Sequence, residues 1–172
     1  MIDRLEWIKR QFKFELPLGM YANVVERVRG TPARLEDLTR DLCAEVLTRR
    51  HGDKWSIQEQ AGHLLDLEGL GMNRLDDFEA TRETLTAADM LNQKTHEANH
   101  NVDSIENILS IFRKERMAFV ARLDSYDEVF VARTSLHPRL NQQIRVIDLV
   151  FFIAEHDDHH LARISELKRT FA

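Results

Sequence analysis

Residues 143–170 constrain the fold more than any other part of this chain. Leu149, Ile153, His156, His160, Ile164 and Leu167 recur at three- and four-residue steps, so on a helix they fall on one narrow stripe. A stripe of this kind must be buried against other elements, and two of its positions carry imidazoles. A ring nitrogen left unpaired in a dry interior costs about 1–3 kcal/mol, so the stripe demands polar partners as well as apolar ones. Carbonyls or carboxylates of neighbouring helices could supply them, and so could one cation. His156 and His160 form an H-x3-H pair whose Cβ atoms lie roughly 5–6 Å apart on a helix, close enough to turn toward a single ion. His63, in Trp55-Ser56-Ile57-Gln58-Glu59-Gln60-Ala61-Gly62-His63, can add a third neutral nitrogen from a second helix. Three nitrogens and an open position are the arrangement of catalytic rather than structural zinc or nickel sites.

The rest of the chain reads as helical. Six glycines and three prolines in 172 residues leave little punctuation for an all-β fold. Tyr21, Val24, Val25 and Val28 share one face of a segment closed by Gly30, after which Thr31-Pro32 starts a helix as N-cap and first-turn proline. That helix is expected to run to about Arg50, burying Leu35, Leu38, Leu42 and Val46, with Gly52-Asp53 beyond it. Ser56-x-x-Glu59 reads as a capping box for a helix over 56–79. Residues 80–102, polar and rich in Thr and Asn, read as a long crossover loop. Asp103 or Ser104 then caps a helix ending near Asp124 with the stripe Ile105, Ile108, Phe112 and Phe119. The expectation is a single all-α domain over residues 1–172: a four-helix bundle with an N-terminal extension, residues 1–30, and a long crossover between helices two and three.

Composition narrows the function classes. Lys and Arg number 24 against 29 Asp and Glu, a net charge of −5 with mixed signs, which gives no basic field to hold nucleic acid or anionic lipid. The single cysteine, Cys43, makes neither an internal disulfide nor a thiolate cage, and its spacing from Leu42 and Val46 suggests a buried small hydrophobe. The N-terminus, Met1-Ile2-Asp3-Arg4-Leu5-Glu6, alternates charged and apolar residues where a signal peptide would have an apolar core, and no run is of membrane-spanning length. A cytoplasmic protein acting on a small molecule is expected.

Thr31-Pro32-Ala33-Arg34-Leu35, then Trp55-Ser56-Ile57-Gln58-Glu59-x-x-Gly62-His63-Leu64, then Glu155-His156-x-x-His159-His160-Leu161 form an ordered set that resembles the DinB/YfiT-like family. The resemblance spans roughly residues 18–170 and implies a four-helix bundle with a three-histidine nickel or zinc site, carried here onto His63, His156 and His160. It also implies a homodimer. For chemistry it implies either a metal-dependent hydrolase or an S-transferase or isomerase that uses a low-molecular-weight thiol such as bacillithiol or mycothiol. A cation with an open position brings the pKa of bound water toward about 7, or holds a thiol as thiolate, so both routes can share one site.

Other residues compete for roles. His96-Glu97-Ala98-Asn99-His100 matches H-E-x-x-H, the zinc metalloprotease pattern, but Asn92, Gln93, Lys94, Thr95, Asn99 and Asn101 around it leave no apolar face for a site helix to bury. Glu59 is a candidate base that capping already explains, and His159 lies about 100° around the helix from its neighbouring ligand. Asp66 could orient an imidazole. Arg116 interrupts the Phe112–Phe119 stripe, and Arg74 continues the line of His63, Leu67 and Leu70; both could hold an anionic substrate or lie at the core edge. A non-catalytic bundle that keeps a metal or small ligand is the alternative to an enzyme. Trp7, Phe12, Phe14, Leu16, Leu18 and Tyr21 are more apolar residues than four core helices need, so they should cover the bundle or build a dimer contact.

Overall fold

The computed structural model describes residues 4–171; Met1, Ile2 and Asp3 of the charge-alternating start lie outside the described residues, as does residue 172. The nine helices of the description are α1 Tyr21–Arg29, α2 Thr31–Thr39, α3 Ala44–Thr48, α4 Ile57–Asp66, α5 Glu68–Glu79, α6 Gln93–Ala98, α7 Ile105–Asp124, α8 Glu128–Val131 and α9 Val146–Phe171. They build a four-helix bundle: α1 with α2, α4 with α5, α7, and α9, each packed against its neighbours.

The first bundle member differs from the expected one. Gly30 has a right-handed backbone, φ −77°, so α1 runs into α2 almost without interruption and belongs to the bundle rather than to an extension. Its valines explain this: Val24, Val25 and Val28 are buried with Leu123, Leu149 and Val150. Thr31 does not cap; its hydroxyl donates to Asp157 at 2.7 Å. The helix then stops at Thr39, well short of Arg50, and Thr39 turns its hydroxyl back onto the Leu35 carbonyl at 2.9 Å. Cys43 consequently sits in extended backbone ahead of α3 and is exposed, not buried.

The crossover also contains more order than its polarity suggests. Asn92 and Asn99, both left-handed, bracket α6, and a 3-10 turn follows over His100–Val102. Residues 143–145, expected to open the last helix, belong to a strand instead. β1, Thr134–His137, pairs antiparallel with β2, Gln142–Arg145, in the register Thr134 to Arg145 and His137 to Gln142. Asn141, also left-handed, closes the turn. Ile144 is fully buried on one face of β2, and Asp148 in the first turn of α9 accepts from the Arg145 backbone N–H at 2.9 Å. The crossover is sewn to this hairpin, since Leu136 donates to the Glu83 carbonyl and Leu85 to the Leu136 carbonyl.

The N-terminal segment packs on its own chain. Trp7 lies 5.0 Å, ring to ring, from Phe152, Phe12 is buried, and Phe14, Leu16 and Tyr21 flank the core. No helix among the described residues is long and apolar enough to cross a membrane.

The core consists of two apolar clusters. One surrounds Val24, Leu75, Phe119, Leu123 and Leu149; the other surrounds Leu35, Ile57, Leu64, Phe112 and Ile164. Between them, where α7 passes from Phe112 to Phe119 and α9 from Ala154 to Leu161, lies a polar layer. Arg116 is its centre. Buried to 2% exposure, it donates to Glu68 of α5 at 2.7 Å, to Asp157 of α9 and to the Val28 carbonyl of α1 at 3.1 Å. Burial opposes its charge, but the two carboxylates hold the guanidinium firmly protonated. Arg116 therefore ties three helices to a fourth. Arg116→Leu leaves two carboxylates buried without a counter-charge, and we expect urea denaturation at neutral pH to show a loss of about 3–5 kcal/mol. A loss under about 1 kcal/mol in that experiment would mean that the layer tolerates two unpaired buried carboxylates, contrary to this account.

Candidate metal centre

The start of α4 is set by local chemistry. Ser56 Oγ accepts from the Glu59 N–H at 3.1 Å while Glu59 Oε2 accepts from the Ser56 N–H at 2.8 Å, the reciprocal capping box. Arg50 also pairs with Glu59. Burial would raise the Glu59 pKa, but Arg50 and the Ser56 N–H hold it below the usual carboxylate value. Glu59 is thereby committed to the cap and not available as a base. Two turns further on, α4 presents His63 to the polar layer.

There it meets α9. The ring of His63 lies 4.8 Å from that of His160 and 5.4 Å from that of His156, and the latter two rings are 4.4 Å apart. One nitrogen of each ring can be chosen so that all three lie within 4.8 Å of one another. His156 Nε2 and His160 Nε2 are 3.1 Å apart. Two nitrogens bound at about 2.1 Å to one zinc-like ion lie about 3.0–3.4 Å from each other, so this spacing fits a shared cation.

Neighbouring groups fix which nitrogens are free. Thr95 donates its hydroxyl hydrogen to Asp66 Oδ2 at 2.8 Å, so its oxygen accepts from His63 Nδ1 at 3.0 Å. Gln60 Oε1 accepts from His160 Nδ1 at 2.6 Å. Both rings thus carry their proton on Nδ1 and turn an Nε2 lone pair inward, as metal-ligating histidines do. Burial pushes His63 down to about 4 against the opposing pull of Asp66, and burial with the neighbouring histidines pushes His156 and His160 well below the ordinary 6.5. At neutral pH three uncharged imidazoles converge, with no carboxylate or thiolate in their group. This donor set suits zinc or nickel.

The centre opens onto a cleft of about 370 Å³. Trp55 lies 4.7 Å from His63, ring to ring, and Trp7 lies 4.9 Å from His156; with Leu67, Phe119 and Phe152 they make the walls largely apolar.

The other sequence candidates fall outside the triad. His159 lines the cleft but faces Arg4 at 2.9 Å, and burial together with Arg4 lowers its pKa to about 4. Arg116 is occupied by Glu68 and Asp157. Arg74 lines the cleft. The H-E-x-x-H segment does not form one helical face, because α6 ends at Ala98 and left-handed Asn99 turns the chain. His100 instead packs over Gly62, where any Cβ would overlap its ring, and its Nε2 lies 2.9 Å from Asp66. His96 stands near Trp55, ring to ring at 5.7 Å.

Asp66 therefore does orient an imidazole, through Thr95. Thr95 and Gln60 were not among the candidates. Gln60, one turn before His63 on the same face of α4, had a legible position. Thr95 comes from an aperiodic polar stretch and had none.

The sequence matches the family model described as the DinB superfamily over residues 27–164. No curated protein matches the sequence. Among solved structures, the fold is similar to that of YfiT from Bacillus subtilis, described as a probable metal-dependent hydrolase with an unusual four-helix bundle topology; identity is 18%, coverage 94% of this chain and 93% of that one, and the TM-score 0.77. A mycothiol-dependent maleylpyruvate isomerase is similar at 8% identity and TM-score 0.67, covering 88% of this chain and 62% of that one. The colibactin self-resistance protein ClbS, solved in complex with double-stranded DNA, is similar at 12% identity and TM-score 0.66, with coverage of 87% and 95%. At these identities the structures speak to fold alone. The family model spans most of the chain, and the protein belongs to the DinB superfamily.

Proposed function

We propose that this chain is a metal-dependent enzyme in which His63, His156 and His160 hold one divalent cation, nickel or zinc, beside a cleft that takes a small electrophilic substrate. One observation carries the proposal: three neutral imidazoles, two with their Nδ1 protons committed to Thr95 and Gln60, converge at the wall of an apolar cleft. When bound, the cation would supply the acidification that makes water or a low-molecular-weight thiol nucleophilic at neutral pH. The chain's own groups do the rest. Thr95 and Gln60 keep the rings aimed, and Trp7, Trp55 and Phe152 exclude bulk water and give an organic substrate a surface to stack on. The description of YfiT as a probable metal-dependent hydrolase supports the water route, and the mycothiol dependence of the isomerase supports the thiol route. The enclosed cleft and the −5 net charge favour a small molecule over nucleic acid. A non-catalytic metal-holding module is the competing proposal. It requires a closed fourth protein ligand, and the ligand group found among the described residues has three members.

Protein purified without chelator and dialysed against nickel or zinc should contain one ion per chain by elemental analysis. Its pH dependence follows from the lowered pKa values. The neutral ring is the ligand, and protons compete only as pH approaches the depressed values, so the ion should stay bound through the ordinary imidazole range and leave below about pH 5. Absence of bound metal, or release centred near 6.5, would count against the site.

His160→Ala should abolish binding of that ion in a calorimetric titration, while His96→Ala and His100→Ala change its affinity only a few-fold. Thr95→Val, which leaves the ligands but removes the acceptor for His63 Nδ1–H, should weaken it about 10–100-fold. The reverse ranking would transfer the site to the H-E-x-x-H segment.

We also propose a homodimer. Leu5 and Ile8, 59% and 57% exposed beside Trp7, and Met20, 41% exposed, are the large apolar residues left over once the described N-terminal segment has covered its own bundle. Light scattering over a dilution series should give twice the mass of one chain, and a single-chain mass throughout would remove the proposal.

A further inference from the structure

Phe152 precedes His156 by one turn of α9, and its ring carries a second polar group of the cleft. His137, the last residue of β1, lies 5.0 Å from it, ring to ring, and the Arg139 guanidinium sits 5.3 Å from the Phe152 centroid and 5.5 Å from that of Trp7. Arg74 of α5 lines the same space.

These three groups have hydrogens without acceptors. His137 Nδ1 accepts from the Leu140 N–H at 3.3 Å, so its proton is on Nε2, which is buried and has no partner. Arg139 Nη2 is likewise buried and unpartnered. Arg74 donates from Nε to the Thr86 carbonyl at 3.0 Å, and its terminal nitrogens have no bond among the described residues. Neither arginine has an ion pair among those residues. Asp77, whose charge Arg74 feels, is occupied by the Thr86 N–H and hydroxyl and by Arg82, and Glu68 and Asp157 are held by Arg116. Asp89 also lines the cleft and accepts from the Leu91 and Gln93 backbone N–H groups, so the two arginines without ion pairs face one carboxylate without one, and the balance is positive. Folded proteins rarely bury free donors, and two of them around one space, His137 Nε2 and Arg139 Nη2, with the unbonded terminal nitrogens of Arg74 lining it too, are the signature of an acceptor that arrives from outside.

We propose that His137 Nε2, Arg139 and Arg74 form an anion subsite about one turn of α9 from the histidine triad. The substrate is then a small organic acid whose carboxylate binds there while its reacting centre lies toward His156. This inference rests on the cleft being the substrate site proposed above, and it adds the substrate class. Trp7 and Phe152, their rings 5.0 Å apart, flank the Arg139 guanidinium from one side, and its unpartnered Nη2 is a donor for a carboxylate oxygen. Burial lowers Arg74 only to about 10, so it is charged at neutral pH, whereas burial and the two arginines lower His137 to about 4, so it donates as a neutral ring.

The test uses the full chain stripped of metal, so that no carboxylate can bind through a cation. Benzoate and glutarate are titrated calorimetrically, with benzamide, glutaramide and inorganic phosphate as comparisons, into wild type, Arg139→Gln and His137→Phe. The acids should bind, their neutral amides should not, and each substitution should weaken the acids about tenfold or more while nickel binding and the helical circular dichroism of the Arg139→Gln protein stay at wild-type levels. Equal binding of acids and amides, wild-type affinity in Arg139→Gln, no binding of either acid, or preference for phosphate would overturn the assignment. The two readings fail separately: acids bound by a protein that takes up no metal would support the subsite and remove the metal proposal, and metal bound without the acids would do the reverse.

Discussion

Everything at the centre of this molecule follows from one constraint: polar groups placed in the middle of a helical bundle must all find partners there. α9 brings His156, Asp157 and His160 into the layer where its apolar stripe should be continuous. The bundle responds with side chains from every other member, Arg116 from α7, Glu68 from α5, Thr31 from α2, and His63 and Gln60 from α4. The two apolar clusters are separated because this layer is continuous across the bundle. Stability and site are consequently one structure, with Arg116 holding Asp157 beside His156.

The layer divides into a closed half and an open half. Around Arg116 the charges pair internally, with each guanidinium nitrogen donating to Glu68, Asp157 or the Val28 carbonyl. Around the histidines, the Nδ1 protons of His63 and His160 are committed to Thr95 and Gln60, and the Nε2 lone pairs of those two rings turn inward. Desolvation reinforces the difference. It favours a neutral imidazole and disfavours an isolated charge, so the same burial that makes the histidines ready ligands would make the carboxylates unstable without their arginine.

The parts of this arrangement legible in the sequence are those governed by helical period. The stripe of α9, the capping box at Ser56 and Glu59, a cap at Asp103 or Ser104, which the structure places at Ser104, and the candidacy of His63 beside His156 and His160 were all readable from spacing. Parts governed by long-range partners were not legible. Thr31 looks like a cap until Asp157 is found opposite it, and Gly30 looks like a helix terminator until the valines before it are seen in the core. The hairpin was hidden because Gln142 to Arg145 is too short to set an alternation against the helix that follows. Cys43 was misplaced because nothing in its neighbourhood announces that α2 ends at Thr39. Thr95, which aims His63, belongs to a crossover whose order comes from contacts with α4 rather than from its own pattern.

The wall provided by Trp7 joins segments far apart in sequence, since its ring meets Phe152, His156 and His159. Closing so long a loop carries a larger entropy cost than local contacts do. During synthesis the tryptophan emerges well before α9 and must wait until that helix is in place. During that interval the indole and the neighbouring Phe12 have no covering surface. The aromatic side of the cleft thus depends on α9 as much as the triad does, and a nascent chain without that helix has neither a triad nor a wall to enclose it.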